Sequence, residues 1–402
     1  MAGYHAATMS LTIPRDPFDD YAPAAVERRL VLCEATAGRP LPHLRGEPVP
    51  HQRARGKIEN LVGWAQIPVG LAGPLVVHTS RGLREVLVPM ATTEGAMVAS
   101  YSRGMKLLRA AGGAWARAIS SALGQHPVLV YEDAGKAAAA GRRALEKRGL
   151  YERLTAETTR HGALVDVRPE AVGRRLVLCL RFTTADAVGV NMAAQASDRI
   201  ARHLAQETGA TAFYVHGEDV EKRAHARGLV EGRGRTVVAE VRVPAGLLAS
   251  HLRVTTDDLV AIRETYAVGF ARLGTENHLV QSANGLAAVL LATGQDVAYV
   301  GESATGLLDL ARTPEGDLYA SAYLPSLLIG TVGGGTGQGT AAECLDVLGV
   351  RGDGGADVFA EILAATLLAG DLSLLASFCT HEFVAAHERL GRNRPEAEAG
   401  GA

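Results

Sequence analysis

The sequence predicts an α+β protein in which a small unit is inserted into a larger one. Between residues 118 and 220, strand-like segments (PVLVYED, RRLVLCLRFTT and AFYVHG) alternate with helical segments at about 134–148 and in AAQASDRIARHLAQETG. This alternation is typical of a compact α+β unit. With 402 residues and 47% hydrophobic content, the chain is long enough for two or three domains with cores of their own.

An N-terminal helix and a linker come first. Residues 23–36 carry apolar side chains at helical spacing, namely Ala25, Val26, Leu30, Val31 and Cys33. The polar, proline-containing text PLPHLRGEPVPHQRARG follows and is typical of a linker. We therefore assign residues 1–58 to a helical segment and linker.

The next stretch, ENLVGWAQIPVGLAGPLVV from residue 59, is apolar but interrupted every few residues by glycine or proline. These interruptions predict a tightly turned loop rather than a helix or a long strand. A strand is expected over 84–90, followed by a helix over 96–106 that Thr92 or Thr93 caps. Glu94 then lies at the strand-to-helix junction. It either complements the helix dipole or, with a pKa raised by apolar surroundings, donates a proton.

The remainder of the chain is predicted to complete the larger domain. TVVAEVRV is an alternating strand, a helix begins at Thr255 or Thr256, and ANGLAAVLLATGQD is a buried helix ending near Gly294. DLYASAYLPSLLIGTVGGG supplies strands that lead into a glycine turn, and a helix over 355–390 is interrupted near Gly370. We assign residues 59–117 and 221–402 to the large domain and residues 118–220 to the small one.

Charge and cysteine usage exclude several classes of protein. The formal net charge is −2, with both signs spread along the chain, so we expect no nucleic-acid or membrane-surface partner. The four cysteines, Cys33, Cys179, Cys344 and Cys379, lie far apart without metal-ligand spacing, which suits buried apolar positions in a reducing compartment. The N-terminus has no secretory pattern, and no uninterrupted apolar run reaches about 18 residues. These features predict a soluble, cytoplasmic protein.

A glycine-rich segment, GTVGGGTGQGT from residue 330, follows apolar strand text. Backbone N–H groups bind an anion where no Cβ obstructs its approach. The spacing matches neither GxGxxG nor GxxxxGK[ST], which excludes the Rossmann and P-loop motifs. The residues alone leave two alternatives, a phosphate or ribose site and an ordinary glycine-rich turn.

Five segments together resemble one family. ENLVGWAQIPVGLAGPL and PMATTEGAMVAS, followed in order by DAVGVNM at Asp186, EGRGRTVVAE at Glu231 and GTVGGGTG at Gly330, are similar to the catalytic domain of hydroxymethylglutaryl-CoA (HMG-CoA) reductase of the eukaryotic and archaeal type. The resemblance implies a large catalytic domain with an inserted, ferredoxin-like domain that binds the cofactor. It also implies homodimers, or higher oligomers, whose active sites form between subunits.

The resemblance further implies a cofactor site for NADPH. DAVGVNM and the glycine-rich segment match the family's dinucleotide-binding text, and Arg160 and Arg392 match arginines that contact the 2′-phosphate. Guanidinium donors favour NADPH over NADH because they pair with that phosphate. The expected cofactor-binding residues are Arg160, Asp186, Gly189, Asn191, Gly333, Gly334, Gly335, Thr336 and Arg392.

Four side chains match the family's catalytic residues. Lys222 would stabilise oxyanion charge as hydride reaches the thioester carbonyl, and Asp296 would lie between Lys222 and Glu94 and tune both. By its position alone Asp296 is a helix-end carboxylate, where the dipole is unfavourable. His387 would protonate the departing CoA thiolate. His381 lies six residues earlier, off the HExxH spacing, so we expect no metal at this pair.

The predicted substrate pocket diverges from the family. Arg103, Arg117, Glu221, Arg223 and Asn284 are the expected substrate contacts, with Glu221-Lys222-Arg223 replacing Asp-Lys-Lys. A lysine that contacts the acyl carboxylate falls at Thr265, and a histidine associated with CoA falls at Gln281. The resemblance therefore implies NADPH-dependent reduction of an acyl-CoA thioester to a primary alcohol, HMG-CoA to mevalonate in the first instance. The alternatives are a reductase of another acyl-CoA or carrier-protein thioester, and a non-catalytic nucleotide-binding relative.

Overall fold

A computed structural model of the chain describes residues 11–381. Within them the strands are β1 Val69–Thr79, β2 Gly82–Ala91, β3 Ala114–Gln125, β4 Val128–Val130, β5 Ala163–Val172, β6 Arg175–Thr183, β7 Ala212–Tyr214, β8 Gly234–Val243, β9 Leu307–Arg312 and β10 Leu318–Leu327. The helices are α1 Pro23–Ala37, α2 Met97–Ala110, α3 Ala134–Glu146, α4 Arg148–Ala156, α5 Val190–Thr208, α6 Ala226–Glu231, α7 Ala245–Leu252, α8 Thr256–Leu273, α9 Ser282–Ala292, α10 Val300–Ser303, α11 Gly339–Leu348 and α12 Gly355–Cys379. The α+β prediction is confirmed.

One hydrogen-bonded sheet runs through the described part of the chain. Its main strand order is β7-β4-β6-β3-β8-β10-β9. Three strands lie outside this order: β5 pairs with β6, and β1 pairs with both β2 and β3. All pairs are antiparallel except a short parallel contact between β1 and β3. The sheet thus joins the two parts of the fold without a break.

The inserted part has the ferredoxin-like arrangement. Its elements follow one another as β4-α3-β5-β6-α5-β7, with α4 directly after α3, and its strand order is β7-β4-β6-β5. This βαββαβ succession is the ferredoxin-like motif. Apolar side chains from α3, α4 and α5 cover one face of the sheet. The opposite face carries polar residues and is covered by the segment from residue 216 to 233, which contains α6.

The larger part is organised around α12. Almost every side chain of this helix is buried, against α2, α8, α9 and the sheet. By length and composition α12 could cross a membrane, but 83% of its most apolar window is buried inside the protein. Its apolar character is therefore explained by its position in the core.

The chain crosses from the larger part of the fold to the inserted part within β3. Each part has its own hydrophobic core. Trp115 to Ala122 pair with β8, whereas Leu123 to Gln125 pair with β6. The division into domains at 117/118 and 220/221 stays a prediction. The change of pairing partner suggests that the first crossing lies a few residues later, within a continuous strand.

The loop predicted for residues 59–77 is wrong in its second half. Residues 59–68 contain no helix or strand, but β1 spans eleven residues and pairs with β2 over its whole length. The pairing register shifts between Ala72 and Leu75, so Gly73 and Pro74 occupy an irregularity within the strand. A bulge accommodates such residues without ending the ladder.

The predicted cap of α2 is also wrong. The residue before the helix is Ala96, in a left-handed conformation and without a side-chain cap. The Thr92 hydroxyl instead accepts a hydrogen bond from the Glu94 amide at 3.0 Å. By contrast, the cap of α8 is confirmed: Thr255 and Asp258 form a reciprocal capping box.

The interruption predicted near Gly370 does not occur, since α12 is continuous from 355 to 379. A Cβ on Gly370 would lie 2.3 Å from Cε1 of the buried Tyr101 ring. Glycine is required here for close packing between α12 and α2 rather than for a break in the helix.

Several elements were not predicted, among them α4 and β5. The β5 text ALVDVRPEAV contains a proline and several charges, which sequence patterns associate with loops. It is an edge strand that pairs only with β6 among the described residues, and proline is tolerated at such an edge.

Candidate active site

Lys222 and Asp296 form an ion pair, with 2.8 Å between Nζ and Oδ2. Lys222 lies between β7 and α6, and Asp296 follows α9. The hydrogen bond that Lys222 donates to Asp296 raises the pKa of Lys222, so its charged form is favoured. For Asp296, burial acts to raise the pKa, but the bonds from Lys222 and Ala298 outweigh it and the pKa is lowered. The pair is therefore ionised at neutral pH.

Asp296 was predicted to lie at a helix end that is unfavourable for a carboxylate, but the structure places it at a favourable position. Asp296 is the N-cap of a 3-10 turn, Val297–Tyr299, and accepts a hydrogen bond from the Ala298 amide at 3.0 Å. A carboxylate at this end of a turn is favourable, because it meets free N–H groups. Its position is thus structurally satisfied as well as chemically useful.

The backbone of Lys222 is held in an unusual conformation. Its φ is 61°, in the left-handed region, which costs free energy for a residue with a Cβ. The carboxylate of Glu302 accepts a hydrogen bond from its amide at 3.0 Å. The Lys222 ammonium also lies over the Tyr299 ring, 5.1 Å from the centroid. Amide, ammonium and ion pair together fix the direction of this side chain.

Behind Lys222 lies a buried charge network. Arg233 donates to Glu302 at 2.9 Å, and both side chains are almost completely buried. Tyr299 donates its hydroxyl to Glu221 at 2.7 Å, and Glu221 lies 3.9 Å from Arg233. Burial raises the pKa of Glu302 despite its cationic partner. Glu221 is thus engaged inside the protein, although it was predicted to contact substrate.

Arg233, Glu302 and Tyr299 were not among the predicted site residues. Arg233 lies within the EGRG motif, so an arginine in that motif is the signal that could have identified it. Glu302 and Tyr299 follow Asp296 closely in sequence. Only the packing of α10 against the Lys222 segment gives them a role.

The two predicted cofactor segments are brought side by side. Ala187 and Val332 form a parallel bridge, and the Asp186 carbonyl accepts from the Thr331 amide at 2.8 Å. The Asp186 carboxylate accepts from the amides of Gly354 and Ala356 at 2.8 and 2.9 Å. Asp186 therefore anchors this segment to the start of α12, and its carboxylate is already engaged.

Val332, Gly333, Gly334 and Gly337 are exposed in the glycine loop. Gly333 and Gly334 have φ values of 85° and 55°, a conformation that leaves N–H groups open to an anion. Thr336 is buried and donates to the Gly333 carbonyl at 2.6 Å. Gly335 lies against Gly294, where a Cβ would come within 2.6 Å of the Gly294 carbonyl. This contact places the loop next to the residues that precede Asp296.

Gln295 reinforces this placement. It donates to the Gly330 carbonyl at 2.9 Å and accepts from the Gly330 amide at 3.0 Å. Since Gln295 immediately precedes Asp296, the glycine loop and the Lys222–Asp296 pair are linked through two consecutive residues. The candidate cofactor site and the charged pair thus belong to one surface.

The remaining cofactor candidates border the same surface or lie outside the described residues. Gly189 is the N-cap of α5 with φ 84°, and Asn191 is exposed in the first turn of that helix. Arg160 is exposed on the turn after α4. Gly162 in that turn packs against Met192, where a Cβ would lie 2.6 Å from the methyl carbon. Arg392 lies outside the described residues.

Glu94 is separate from the lysine pair in the contacts that the structure describes. It is exposed, and its carboxylate accepts from Asn284 at 3.4 Å. Two of the four predicted catalytic residues, Lys222 and Asp296, are therefore in contact, and Glu94 instead adjoins a predicted substrate contact. His387 lies outside the described residues.

The predicted substrate-binding arginines make contacts within the chain. Arg103 donates through Nε to the Ser373 hydroxyl at 2.9 Å, and Arg117 donates to the His78 carbonyl at 2.7 Å. Arg223 pairs with Asp219 at 2.8 Å and is largely exposed. Of the three, Arg223 is the most accessible to a ligand.

The two positions that diverge from the family differ in exposure. Gln281 is buried, and its side-chain amide donates to the Gly370 carbonyl. The backbone carbonyl of Gln281 accepts from the Tyr101 hydroxyl at 2.7 Å. Thr265 lies exposed on α8, with its hydroxyl bonded to the Ala261 carbonyl at 3.0 Å. Gln281 thus has a packing role, whereas Thr265 presents no cationic group.

The fold is α+β with a ferredoxin-like insertion, and its ionised lysine–carboxylate pair next to an open glycine loop is an arrangement typical of enzymes that act on anionic or carbonyl substrates. The family model described as hydroxymethylglutaryl-coenzyme A reductase matches residues 24–392. The chain belongs to this family.

Curated relatives agree over nearly the whole chain. The 3-hydroxy-3-methylglutaryl-coenzyme A reductase of Haloferax volcanii is 39% identical over 379 residues, covering 92% of this chain and 94% of the relative. That of Methanothermobacter thermautotrophicus is 38% identical over 372 residues, with the same coverage. A solved class II reductase from Streptococcus pneumoniae, bound to NADPH in open conformations, has a TM-score of 0.72 at 20% identity and covers 88% of this chain and 96% of its own. That likeness supports the fold.

Proposed function

We propose that this protein is an NADPH-dependent reductase that converts HMG-CoA to mevalonate and CoA. The observation that carries the proposal is the ionised Lys222–Asp296 pair beside the glycine loop, in a chain that belongs to the HMG-CoA reductase family. A binding protein without catalysis would have no need for a charged lysine held in a left-handed conformation next to its nucleotide site.

Lys222 is the proposed electrostatic catalyst. Its ammonium would donate to the substrate carbonyl oxygen and stabilise the negative charge that develops there. Asp296 keeps the lysine charged, since its hydrogen bond raises the lysine pKa. The Glu302 bond and the Tyr299 ring keep its direction fixed, so little reorganisation is needed during the reaction.

The cofactor site fits a dinucleotide. When bound, NADPH would supply the hydride for both reductions, from thioester to hemithioacetal and from aldehyde to alcohol. The open amides of the glycine loop would hold phosphate oxygens. Asn191 lies on the adjoining segment, and Arg160 and Arg392 are proposed to pair with the 2′-phosphate.

Proton transfer is proposed to involve Glu94 and His387. Glu94 would supply protons to the reduced carbonyl oxygens, and His387 would protonate the CoA thiolate as it leaves. Asn284, which donates to Glu94, would orient this carboxyl and contact the substrate. Arg103, Arg117, Glu221 and Arg223 complete the proposed substrate set.

A dimer with intersubunit sites is supported by exposed apolar residues. Ile58, Val62, Trp64 and Ile67 are all exposed, Val62 fully, and they precede the strand pair that leads to Glu94. Such a cluster favours burial against another chain. A second subunit would also bring Glu94 to a lysine pair that it does not contact within one chain. Four free cysteines, three of them buried, support a reducing, cytoplasmic location.

A second candidate substrate class is favoured by Thr265. A substrate carboxylate that is partly desolvated needs donors to neutralise it, and Thr265 provides no charge at the position where the family has lysine. A reductase of another acyl-CoA or carrier-protein thioester is therefore the alternative. A non-catalytic nucleotide-binding relative is a third outcome of the same experiment.

The test is NADPH oxidation with HMG-CoA, followed by mass spectrometry of the alcohol product. Turnover with HMG-CoA supports the main proposal, turnover only with other thioesters supports the second, and NADPH binding without turnover supports the third. Lys222→Ala is expected to reduce turnover by about 100- to 1000-fold, as for loss of an oxyanion donor, with NADPH binding retained.

Lys136→Ala is the matched control, because Lys136 also pairs with a carboxylate but lies on the exposed face of α3. It should turn over at the wild-type rate. Wild-type rates in Lys222→Ala would refute the role assigned to that residue.

A further inference from the structure

A second cluster of reactive side chains lies behind the Lys222 segment, on the polar face of the ferredoxin-like sheet. His126 follows β3, Cys179 lies in β6, and Glu218 lies between β7 and α6. One nitrogen, one sulfur and one oxygen from these residues all lie within 4.8 Å of one another. His126 Nδ1 is 2.6 Å from a Glu218 oxygen.

Burial distinguishes this cluster from an ordinary surface group. His126 and Cys179 are 7% and 3% exposed, and Cys179 forms no disulfide. A neutral imidazole ring offers a lone pair to a cation. A bound cation would also release the proton of the Cys179 thiol and take the thiolate, as coordinated thiols do.

We propose that His126, Cys179 and Glu218 bind a divalent transition-metal ion, with Zn²⁺ preferred. One imidazole, one thiolate and one carboxylate are the donor types that Zn²⁺ takes at about 2.0–2.3 Å. Three ligands leave a fourth position on a tetrahedral ion, and His126 and Cys179 also line a pocket wide enough for a water molecule. His225 lines the same pocket, but its Nδ1 accepts from the Gly228 amide at 2.9 Å. Its other nitrogen therefore carries the proton, and water is the proposed fourth ligand.

The arginines around the cluster are compatible with an ion. Arg227 donates to Glu218 at 2.8 Å and to Glu170 at 2.7 Å, and Arg168 pairs with Glu170 and Glu231 at 2.9 and 2.7 Å. Arg168 also donates to the Cys179 sulfur. Apart from the proposed ligands, Arg227 keeps Glu170 as a partner, and Arg168 keeps Glu170 and Glu231. The thiolate and the Glu218 carboxylate would neutralise the double charge, while hydrogen bonds to ligand carboxylates are usual around metal sites.

The ion would cross-link two parts of the chain. His126 and Cys179 belong to the sheet, whereas Glu218 belongs to the segment that leads to Lys222. This segment is already attached through the Glu218 amide, which donates to the His126 carbonyl at 3.1 Å. Metal occupancy would therefore stabilise the fold and restrict the segment before Lys222. An effect of the metal on turnover would rest on the proposed reductase function. Metal binding at this site does not depend on that function.

The experiment is titration of the tag-free, metal-depleted protein with Co²⁺ and with Zn²⁺. Co²⁺ should produce thiolate-to-cobalt charge-transfer absorption in the near ultraviolet, which saturates at one equivalent and disappears on addition of Zn²⁺. X-ray absorption of the zinc-loaded wild type should give one sulfur ligand at about 2.3 Å. A hundredfold excess of Zn²⁺ over its Kd should raise Tm by about 3 °C or more.

Variants assign the ligands. Cys179→Ser should lose the charge-transfer absorption and the zinc-dependent rise in Tm, and Glu218→Gln should weaken binding at least tenfold. Cys33→Ser is the matched control, since Cys33 is similarly buried at 5% exposure but lies in another cluster. It should behave as wild type.

The proposal is overturned if the zinc shell of the wild type contains no sulfur, a result that does not depend on any variant folding. Equal cobalt spectra for wild type and Cys179→Ser would overturn it as well. Because these readouts involve neither NADPH nor HMG-CoA, their failure is distinguishable from failure of the proposed reductase activity.

Discussion

Replacing Glu302 with Gln tests the buried network that holds Lys222. The change keeps the side-chain size and an oxygen that can accept from the Lys222 amide, but it removes the charge that faces Arg233. Both partners are nearly inaccessible to solvent. Loss of one partner of such a pair costs about 3–5 kcal/mol, because the other charge stays buried without compensation. Arg233 keeps its bond to the Gly124 carbonyl, which favours the lower value.

Urea unfolding measures this cost. Asp198→Asn, which removes an exposed partner of Arg202, is the control and should cost under about 1 kcal/mol. Adding Arg233→Met to Glu302→Gln should restore most of the stability, because no unpaired charge then remains. A cost below about 1 kcal/mol for Glu302→Gln would refute the argument that this pair is energetically coupled.

Two double variants then separate positioning from charge. Glu302→Gln with Arg233→Met retains an acceptor for the Lys222 amide, whereas Glu302→Leu with Arg233→Met does not. The second should have a lower kcat for NADPH oxidation with HMG-CoA, with unchanged NADPH binding. The reason is that the left-handed backbone of Lys222 loses its hydrogen bond. Equal kcat values in the two double variants would show that the Glu302 bond does not position the lysine.

Two further predictions concern stability. Burial raises the pKa of Asp371 to about 7, although two backbone amides donate to its carboxylate and oppose this rise. Because the pKa is higher in the folded state than in the unfolded state, where it is near 4, protonation of Asp371 stabilises the fold. This stabilisation is complete below about pH 4 and is lost as pH rises through about 7. Relative to Asp371→Asn, wild type should therefore lose stability between pH 4 and 7 in urea titrations, and parallel curves would contradict this. Gly370→Ala should lower stability by about 1–3 kcal/mol or more, because the new Cβ meets the Tyr101 ring. Gly269→Ala is the control, because Gly269 lies on α8 with open space around it, and it should raise stability by up to about 1 kcal/mol. Equal changes of stability for Gly370→Ala and Gly269→Ala in thermal unfolding would refute the packing argument.

Long, patterned elements were predictable because their signals are local. The apolar spacing of residues 23–36 gave α1, and the Thr255 to Asp258 spacing gave the capping box of α8. The alternation between 118 and 220 gave the α+β insertion. The family motifs identified the glycine loop and Lys222 as parts of the predicted site. The order of these motifs along the chain indicated the family, which the family model confirms.

Glycine and proline were the least reliable local signals. Gly73 and Pro74 predicted a break, but pairing with β2 keeps β1 continuous. Gly370 predicted a break, but close packing on Tyr101 is its reason. In both cases a partner distant in sequence decides whether the residue ends an element or fits within it.

The sequence by itself determined the family, the order of the elements and the residue types of the proposed site. Tertiary structure alone decided which carboxylates meet which amides and cations. Asp186 holds the start of α12, Glu302 holds the Lys222 backbone, and Glu218 meets His126 and Cys179. The physical reason is that each of these contacts joins residues far apart along the chain. Neither periodicity nor capping rules can specify such contacts, since they exist only after the sheet and helices have packed.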